Sequence, residues 1–459
     1  MRTWVPAGQA VGAIVAAAAL LLLPALWNGY VLFYYDSVDY VRMSFTWDLP
    51  VFRTMPYTLV AYIGRVADSL WAIAIVQSLL VAWTLHLALR VLSPFHPTRA
   101  LLPVTAALCL LTSLPWFADQ VMADVFAGVS VLGVAILAFA DDRLDRWRRY
   151  ALVLLTGVGT ALHTSHLAIV GGLVISLALA RLMLRRRWPG FRPSLRMPGL
   201  ALVSAVALVV GVHWGTVGRP FVTQPNSILM LARLVQDGLA KRYLDDVCPT
   251  AAPPLRLCAY RDRLPPTAND FLWGETPFDD LGGWQTMEGE ASHIVSGTLR
   301  RYPLEHVRVA ALLTLEQLGM VATGDGLVNM QWHIRQTIQR RYPDEYAEFM
   351  EARQQRNGIH FRWINAVQVP VAILSAVVTA ALLVHWWRRR QWRPAGLALV
   401  VVLALLGNAF VCGALSNPNN RYQSRLAWLA VFVVAIGGRS LWGRDRETGW
   451  SDGLSPEWR

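Results

Sequence analysis

Residues 33–44 read FYYDSVDYVRMS and follow an apolar run, VGAIVAAAALLLLPAL. Asp36 and Asp39 stand three residues apart, so a helix here puts both carboxylates on one face. Together they would bind a cation, or one would take a proton from a hydroxyl. Apolar surroundings raise a carboxylate's pKa toward neutrality, which suits proton removal. The alternative is an aspartate capping a helix in a wet loop. Tyr34, Tyr35, Arg42 and Arg53 surround the pair in sequence.

A second acidic pair, Asp119 and Asp124, lies in LPWFADQVMADVFAG, at the mouth of another apolar run. Ionisable groups at membrane depth are expensive and face a cavity or a partner. An interfacial helix cap is the plainer reading. His163 and His166 in LHTSH also sit at a span end. Two histidines make no metal site without further ligands at suitable spacing, so polar turn residues, or contacts to a phosphate or sugar, are the readings kept. Arg421, Tyr422 and Arg425 lie in SNPNNRYQSRLAWL. Two guanidiniums at i and i+4 would clamp a phosphate in bidentate fashion. Snorkelling arginines at a helix end are the alternative.

The elements that must carry these groups are membrane spans. Of 459 residues, 55% are hydrophobic and 16% charged, the profile of a polytopic membrane protein. The net charge of +12 would suit nucleic acid, but most arginines sit in short connectors between apolar runs, where they set orientation. Nucleic acid is therefore excluded as a partner. Ten runs are expected to cross: 8–27, 68–89, 100–114, 121–140, 150–162, 165–184, 199–216, 367–386, 396–415 and 426–438. The first is expected to be an uncleaved anchor. Arg-rich connectors such as RRRWPGFRPSLR and HWWRRRQWR mark the cytoplasmic side. Both termini then lie inside, and every acidic motif lies on the opposite, extracytoplasmic face.

The expected organisation is an N-terminal membrane module (1–216), a mostly helical outer insert (217–366), a C-terminal membrane module (367–438) and a cytoplasmic tail (439–459). The insert holds CPTAAPPLRLC, where Cys248 and Cys258 would close a small disulfide loop or stay as free thiols. It is expected to roof a cavity lined by Asp36 and Asp124, with those side chains within about 15 Å of each other if they share a substrate.

This constellation resembles the GT-C superfamily of integral-membrane glycosyltransferases, in particular the bacterial relatives of protein mannosyltransferases and aminoarabinose transferases. Three segments carry the resemblance. YYDSVDYVRMS, running on into FRTMPYTL, is similar to the first outer loop with its acidic catalytic residue. LPWFADQVMADVFAG is similar to the second acidic motif, and NNRYQSRLAWL to the late arginine motif. The resemblance spans the N-terminal 180 residues or so and about the last fifty; the insert matches nothing in it.

What the resemblance implies is an inverting transfer of a sugar from a polyprenyl-phosphate donor to a lipid, glycan or protein acceptor. The setting would be the outer face of a bacterial inner membrane, as part of cell-envelope chemistry. Asp36 would be the base, with Asp39 the second choice, because DSVD departs from the single acidic residue usual in the first motif. Asp124 would orient the acceptor, with Asp119 behind it. Arg53, Arg421 and Arg425 would hold the donor phosphate, with Tyr422, His163 and His166 nearby. Some members of the family use a divalent cation, magnesium or manganese; nothing in these residues requires one. A transporter or flippase of a lipid-linked sugar is the main rival, although neither inverted repeats nor a central charged residue is evident. A non-catalytic assembly protein is the second. The oligomeric state stays open.

Overall fold

The computed structural model describes residues 7–49, 54–223, 227–250, 255–274 and 277–441. Among them the regular structure is helical, and the β pairing is an isolated parallel bridge between Leu32 and Gln120. The chain opens with α1, Gly8–Asn28. It stops at Gly29, whose left-handed backbone (φ 88°) lets its N–H reach the carbonyls of Ala25 and Leu26. Two shorter helices follow, α2 at Ser37–Thr46 and α3 at Tyr57–Ala67. The next run is α4 (Trp71–Leu92), α5 (Pro97–Leu111), α6 (Val125–Phe139), α7 (Arg146–Ala161), α8 (Thr164–Leu184) and α9 (Arg196–Val217). The insert contributes α10 (Ser227–Gln236), α11 (Leu239–Val247), α12 (Glu288–Arg301), α13 (Pro303–Gly319) and α14 (Trp332–Arg341). The chain returns with α15 (Arg362–Arg388), α16 (Trp392–Ala414) and α17 (Asn420–Leu441).

Among the described residues, six helices are long and apolar enough to cross a membrane: α1, α4, α8, α9, α15 and α16. The chain is thus a helical protein with several candidate spans. Four of the ten expected crossings fall elsewhere. Helices α5, α6 and α7 have 15, 15 and 16 residues. At 1.5 Å per residue, 15 residues reach about 22 Å, short of the roughly 30 Å hydrocarbon core. Helix α17 has the length, at 22 residues, but opens with Arg421 and Arg425.

Helix α6 lies at the centre, buried along nearly its whole length and packed by α4, α7, α16 and α17. Small residues permit this closeness. A Cβ on Gly128 would come within 2.6 Å of the Trp428 indole, and one on Gly133 within 2.1 Å of the Thr156 hydroxyl.

The insert divides between two hydrophobic cores. Residues 227–302 build their own core around Leu231, Leu244, Phe271 and Ile294. That part carries the Cys248–Cys258 disulfide. Beyond α13 the chain joins the core of the membrane bundle through Met330, Ile334, Tyr342 and Phe349. The seam is polar. Phe33 N–H donates to Gln354 Oε1 at 3.0 Å, and Gln354 Nε2 donates to the carbonyls of Phe33 (2.7 Å) and Val328 (3.1 Å). Arg353 N–H donates to the Asn28 carbonyl at 2.8 Å. Glu345 accepts from the Tyr30 hydroxyl and from Leu70 N–H. The segment between α1 and α2 is therefore clamped from above by the end of the insert.

Gln354 is 1% exposed, so Gln354→Ala would leave a buried N–H and a buried carbonyl unpaired. A loss of about 2–3 kcal/mol is expected, read as an earlier midpoint in thermal unfolding of the detergent-solubilised protein. An unchanged midpoint would mean the seam does not hold the insert down.

Candidate functional site

The opening of α17 is set by its loop. Pro418 cannot continue α16, and the Asn419 side chain accepts from Arg421 N–H at 3.0 Å. The first turns of α17 then place Arg421 and Arg425 on one face. The insert holds this loop in place. Gln317 donates to the Asn419 carbonyl at 2.8 Å and accepts from Asn419 N–H at 2.9 Å. Ala322 N–H donates to Asn420 Oδ1 at 3.1 Å, and Arg233 donates to Asn417 Oδ1 at 2.7 Å.

Against this face come two carboxylates from distant parts of the chain. Arg425 Nη1 donates to Asp124 Oδ1 at 2.7 Å. Arg421 reaches both carboxylates: its Nε lies 3.8 Å from Asp124 Oδ2 and its Nη1 3.5 Å from Asp36 Oδ2. One guanidinium thus ties the first acidic motif to the second. Asp36 and Asp124 occupy the N-cap positions of α2 and α6, yet neither side chain makes a capping hydrogen bond. Both turn toward the arginines instead. Exposure falls along the cluster, from 16% for the Asp36 side chain through 5% for Arg421 and 3% for Asp124 to 1% for Arg425. Asp36 is therefore the mouth and Arg425 the floor.

The floor is engaged through both terminal nitrogens of Arg425, while its Nε makes no hydrogen bond. Arg425 Nη2 also donates to Ser165 Oγ (3.0 Å), Asn408 Oδ1 (3.1 Å) and Cys412 Sγ (3.4 Å). Arg421 is held differently. Its guanidinium lies over the Tyr34 ring at 3.9 Å and near the Tyr422 ring at 5.0 Å. Neither its Nε nor its Nη1 makes a hydrogen bond. It is a buried cation with donor capacity to spare. It also lines a cleft of about 10 Å³, room for one water at most. Trp116, Phe117 and Gln120 form one side of that cleft, and Thr323–Leu327 of the insert form the roof. The roof fits closely. Gly326 has φ 74°, and a Cβ there would stand 1.9 Å from the Tyr34 ring.

The other expected residues take separate places. Asp39 pairs with Arg42 on its own helix at 3.7 Å. Asp119 makes a separate contact: its Oδ2 accepts from Ala25 N–H at 2.7 Å. Its carbonyl accepts from Leu32 N–H, so it bolts the end of α1 to the loop before α6. Burial pushes its carboxyl above the ordinary range. His163 caps α8 by accepting from Ser165 N–H at 3.2 Å, and it also meets Ser165 Oγ at 2.8 Å. His166 is buried, with Nδ1 donating to the Gly159 carbonyl at 2.9 Å. Tyr422 supplies a ring beside both arginines. Arg53 lies outside the described residues.

Ser165, Asn408 and Cys412 are site residues that reading the sequence missed. Ser165 sits between the two histidines of LHTSH, and Asn408 is an amide in an otherwise apolar run, a signal in its own right. Among the described residues no group of three or more His, Cys, Asp or Glu is placed to hold a metal. Asp124 faces two guanidiniums, a donor set that repels a cation. The acidic residues therefore do not fit a divalent ion as arranged.

The chain matches no family model, no curated protein and no solved structure.

Arg425→Gln would leave the buried Asp124 carboxylate with only the longer Arg421 contact, with an expected loss of about 3 kcal/mol. Adding Asp124→Asn should cost less than the two single losses summed, with a coupling of at least ~1 kcal/mol in a double-mutant cycle of denaturant unfolding. Additive losses would show that the pair does not interact.

Proposed function

We propose that the chain is an inverting membrane glycosyltransferase, taking a sugar from a polyprenyl-phosphate carrier to a hydroxyl or amine acceptor. The chemistry would occur at the outer face of a bacterial cytoplasmic membrane. The observation that carries the reading is Arg421. A buried guanidinium with unused donors, flanked by two carboxylates, provides both things the reaction needs. It is a cation for a leaving phosphate and sits beside a base for the attacking group.

The roles assigned here rest on this arrangement. If all four groups are ionised, Asp36, Asp124, Arg421 and Arg425 have no net charge. An arriving donor phosphate competes with Asp36, the more exposed carboxylate, for Arg421. Displaced from Arg421, the Asp36 carboxylate can face the acceptor. Donor binding therefore prepares the base. The acceptor oxygen or nitrogen then attacks the anomeric carbon from the face opposite the phosphate, and its proton passes to Asp36. The bond from the anomeric carbon to the phosphate oxygen breaks, and the electron pair leaves with the phosphate, held by Arg421. Asp124 and Arg425 hold Arg421 in place. Asp39, which pairs with Arg42 on its own helix, is the second choice for the base.

The test is a transfer assay with purified protein, radiolabelled polyprenyl-phosphate sugars and membrane lipid extract. Asp36→Asn is expected to lower transfer by about 10²–10⁴-fold with donor binding retained, and Arg421→Gln to weaken donor binding itself. Donor binding without transfer in wild type would favour the flippase. Absence of donor binding would remove the reading altogether.

A further inference from the structure

The opposite end of the bundle carries a second constellation that the chemistry above does not use. Residues 181–196 hold six arginines and residues 385–393 four, with no carboxylate in either segment. The two segments meet in space. Trp188 lies 6.0 Å from Trp387 and 6.0 Å from Trp392, ring centre to ring centre. Phe191, fully buried, packs on Trp387 at 5.0 Å and on Phe139 at 5.8 Å. Gly190 lies against Trp392, where a Cβ would come within 2.4 Å of the indole nitrogen. This aromatic plug brings Arg185–Arg187 at the end of α8 beside Arg388–Arg390 at the end of α15.

The neighbouring acids have partners of their own. Asp142 pairs with Arg393 at 2.7 Å, Asp141 faces the Ser194 hydroxyl, and Asp145 pairs with Arg148. Arg185, Arg186, Arg187, Arg388 and Arg390 are exposed and form no ion pair among the described residues. Arg390 lies over the Trp188 ring at 5.9 Å. Orienting the chain in a membrane needs only an excess of basic residues in each connector. It does not need two arginine triplets locked together by tryptophans.

Just beyond the arginines the helices turn apolar surface outward. Leu182 and Met183 on α8 are 57% and 77% exposed, Val203 on α9 65% and Val384 on α15 49%. A cationic cradle at the headgroup level above exposed aliphatic side chains has the shape of a phospholipid. Guanidinium forks match phosphate oxygens, and indoles sit at the headgroup boundary. We infer that this end of the bundle is a binding site for anionic phospholipid. Phosphates would rest on Arg185–Arg187, Arg388 and Arg390, and acyl chains would run along α8, α9 and α15. The inference is independent of the transferase reading.

The full chain, purified and stripped of lipid, would be titrated with phosphatidylglycerol or with phosphatidylcholine, counting bound lipid by native mass spectrometry. Wild type is expected to take phosphatidylglycerol roughly tenfold more tightly. R186Q/R187Q/R388Q/R390Q should lose that preference. A control with R99Q/R146Q, removing exposed arginines of other connectors, should keep it. Equal binding of the two lipids by wild type would overturn the inference without any variant. So would equal losses in the two sets of variants, since the binding would then be general electrostatics. If the quadruple variant does not fold, R187K/R390K, which keeps the charge and removes the fork, should show a weakened preference.

Discussion

Two arginines one helical turn apart, buried beside Asp124, set the terms for this structure. Desolvating each ion costs several kcal/mol, recovered only by close partners. The partners cannot come from α17 itself, so the chain delivers them from elsewhere. Asp124 arrives from the start of α6, Asp36 from the start of α2, Ser165 from α8 and Asn408 from α16. Four distant segments are thereby fixed against the first turns of the last helix. The central position of α6 follows, since it must offer Asp124 at its head while its small residues admit Trp428 and Thr156 along its flank.

The same constraint gives the insert its place. Its last part belongs to the bundle core, holds the segment after α1 through Gln354, and lowers Gly326 onto Tyr34. Tyr34 in turn lies on Arg421. Its earlier part reaches the α17 loop through Arg233. The result is a cation whose position depends on the roof as much as on its own helix. The cleft beside it, between Trp116 and the insert, is small.

The bundle has two unlike ends. One gathers carboxylates and arginines in equal number into a neutral, buried cluster. The other displays more arginines than carboxylates, six in residues 181–196 and four in 385–393. Burial explains the difference. Inside the protein, charge must be matched, whereas at a membrane surface unmatched cations meet solvent or lipid phosphate.

Much of this was legible in the chain as written. Long apolar runs place six helices where candidate spans occur, and the motifs around Asp36, Asp124 and Arg421 identify residues that do meet. Local rules also read the cysteine pair as one that could join, and the structure joins it. Short helices such as α6 were less legible, because a helix enclosed by others need not span on its own, and its length carries no such signal. Sequence spacing put Asp36 and Asp39 on one face and treated Asp119 as a companion of Asp124. Only the tertiary structure gave Asp36 its contact to Arg421 and Asp119 its contact to the end of α1, while Asp39 pairs locally with Arg42. Sequence by itself determined which residues are costly to bury, since that depends on residue type and local hydropathy. Which cation each carboxylate receives was decided by the packing of helices far apart in the chain, because pair energies depend on distances of a few ångströms that no local pattern encodes.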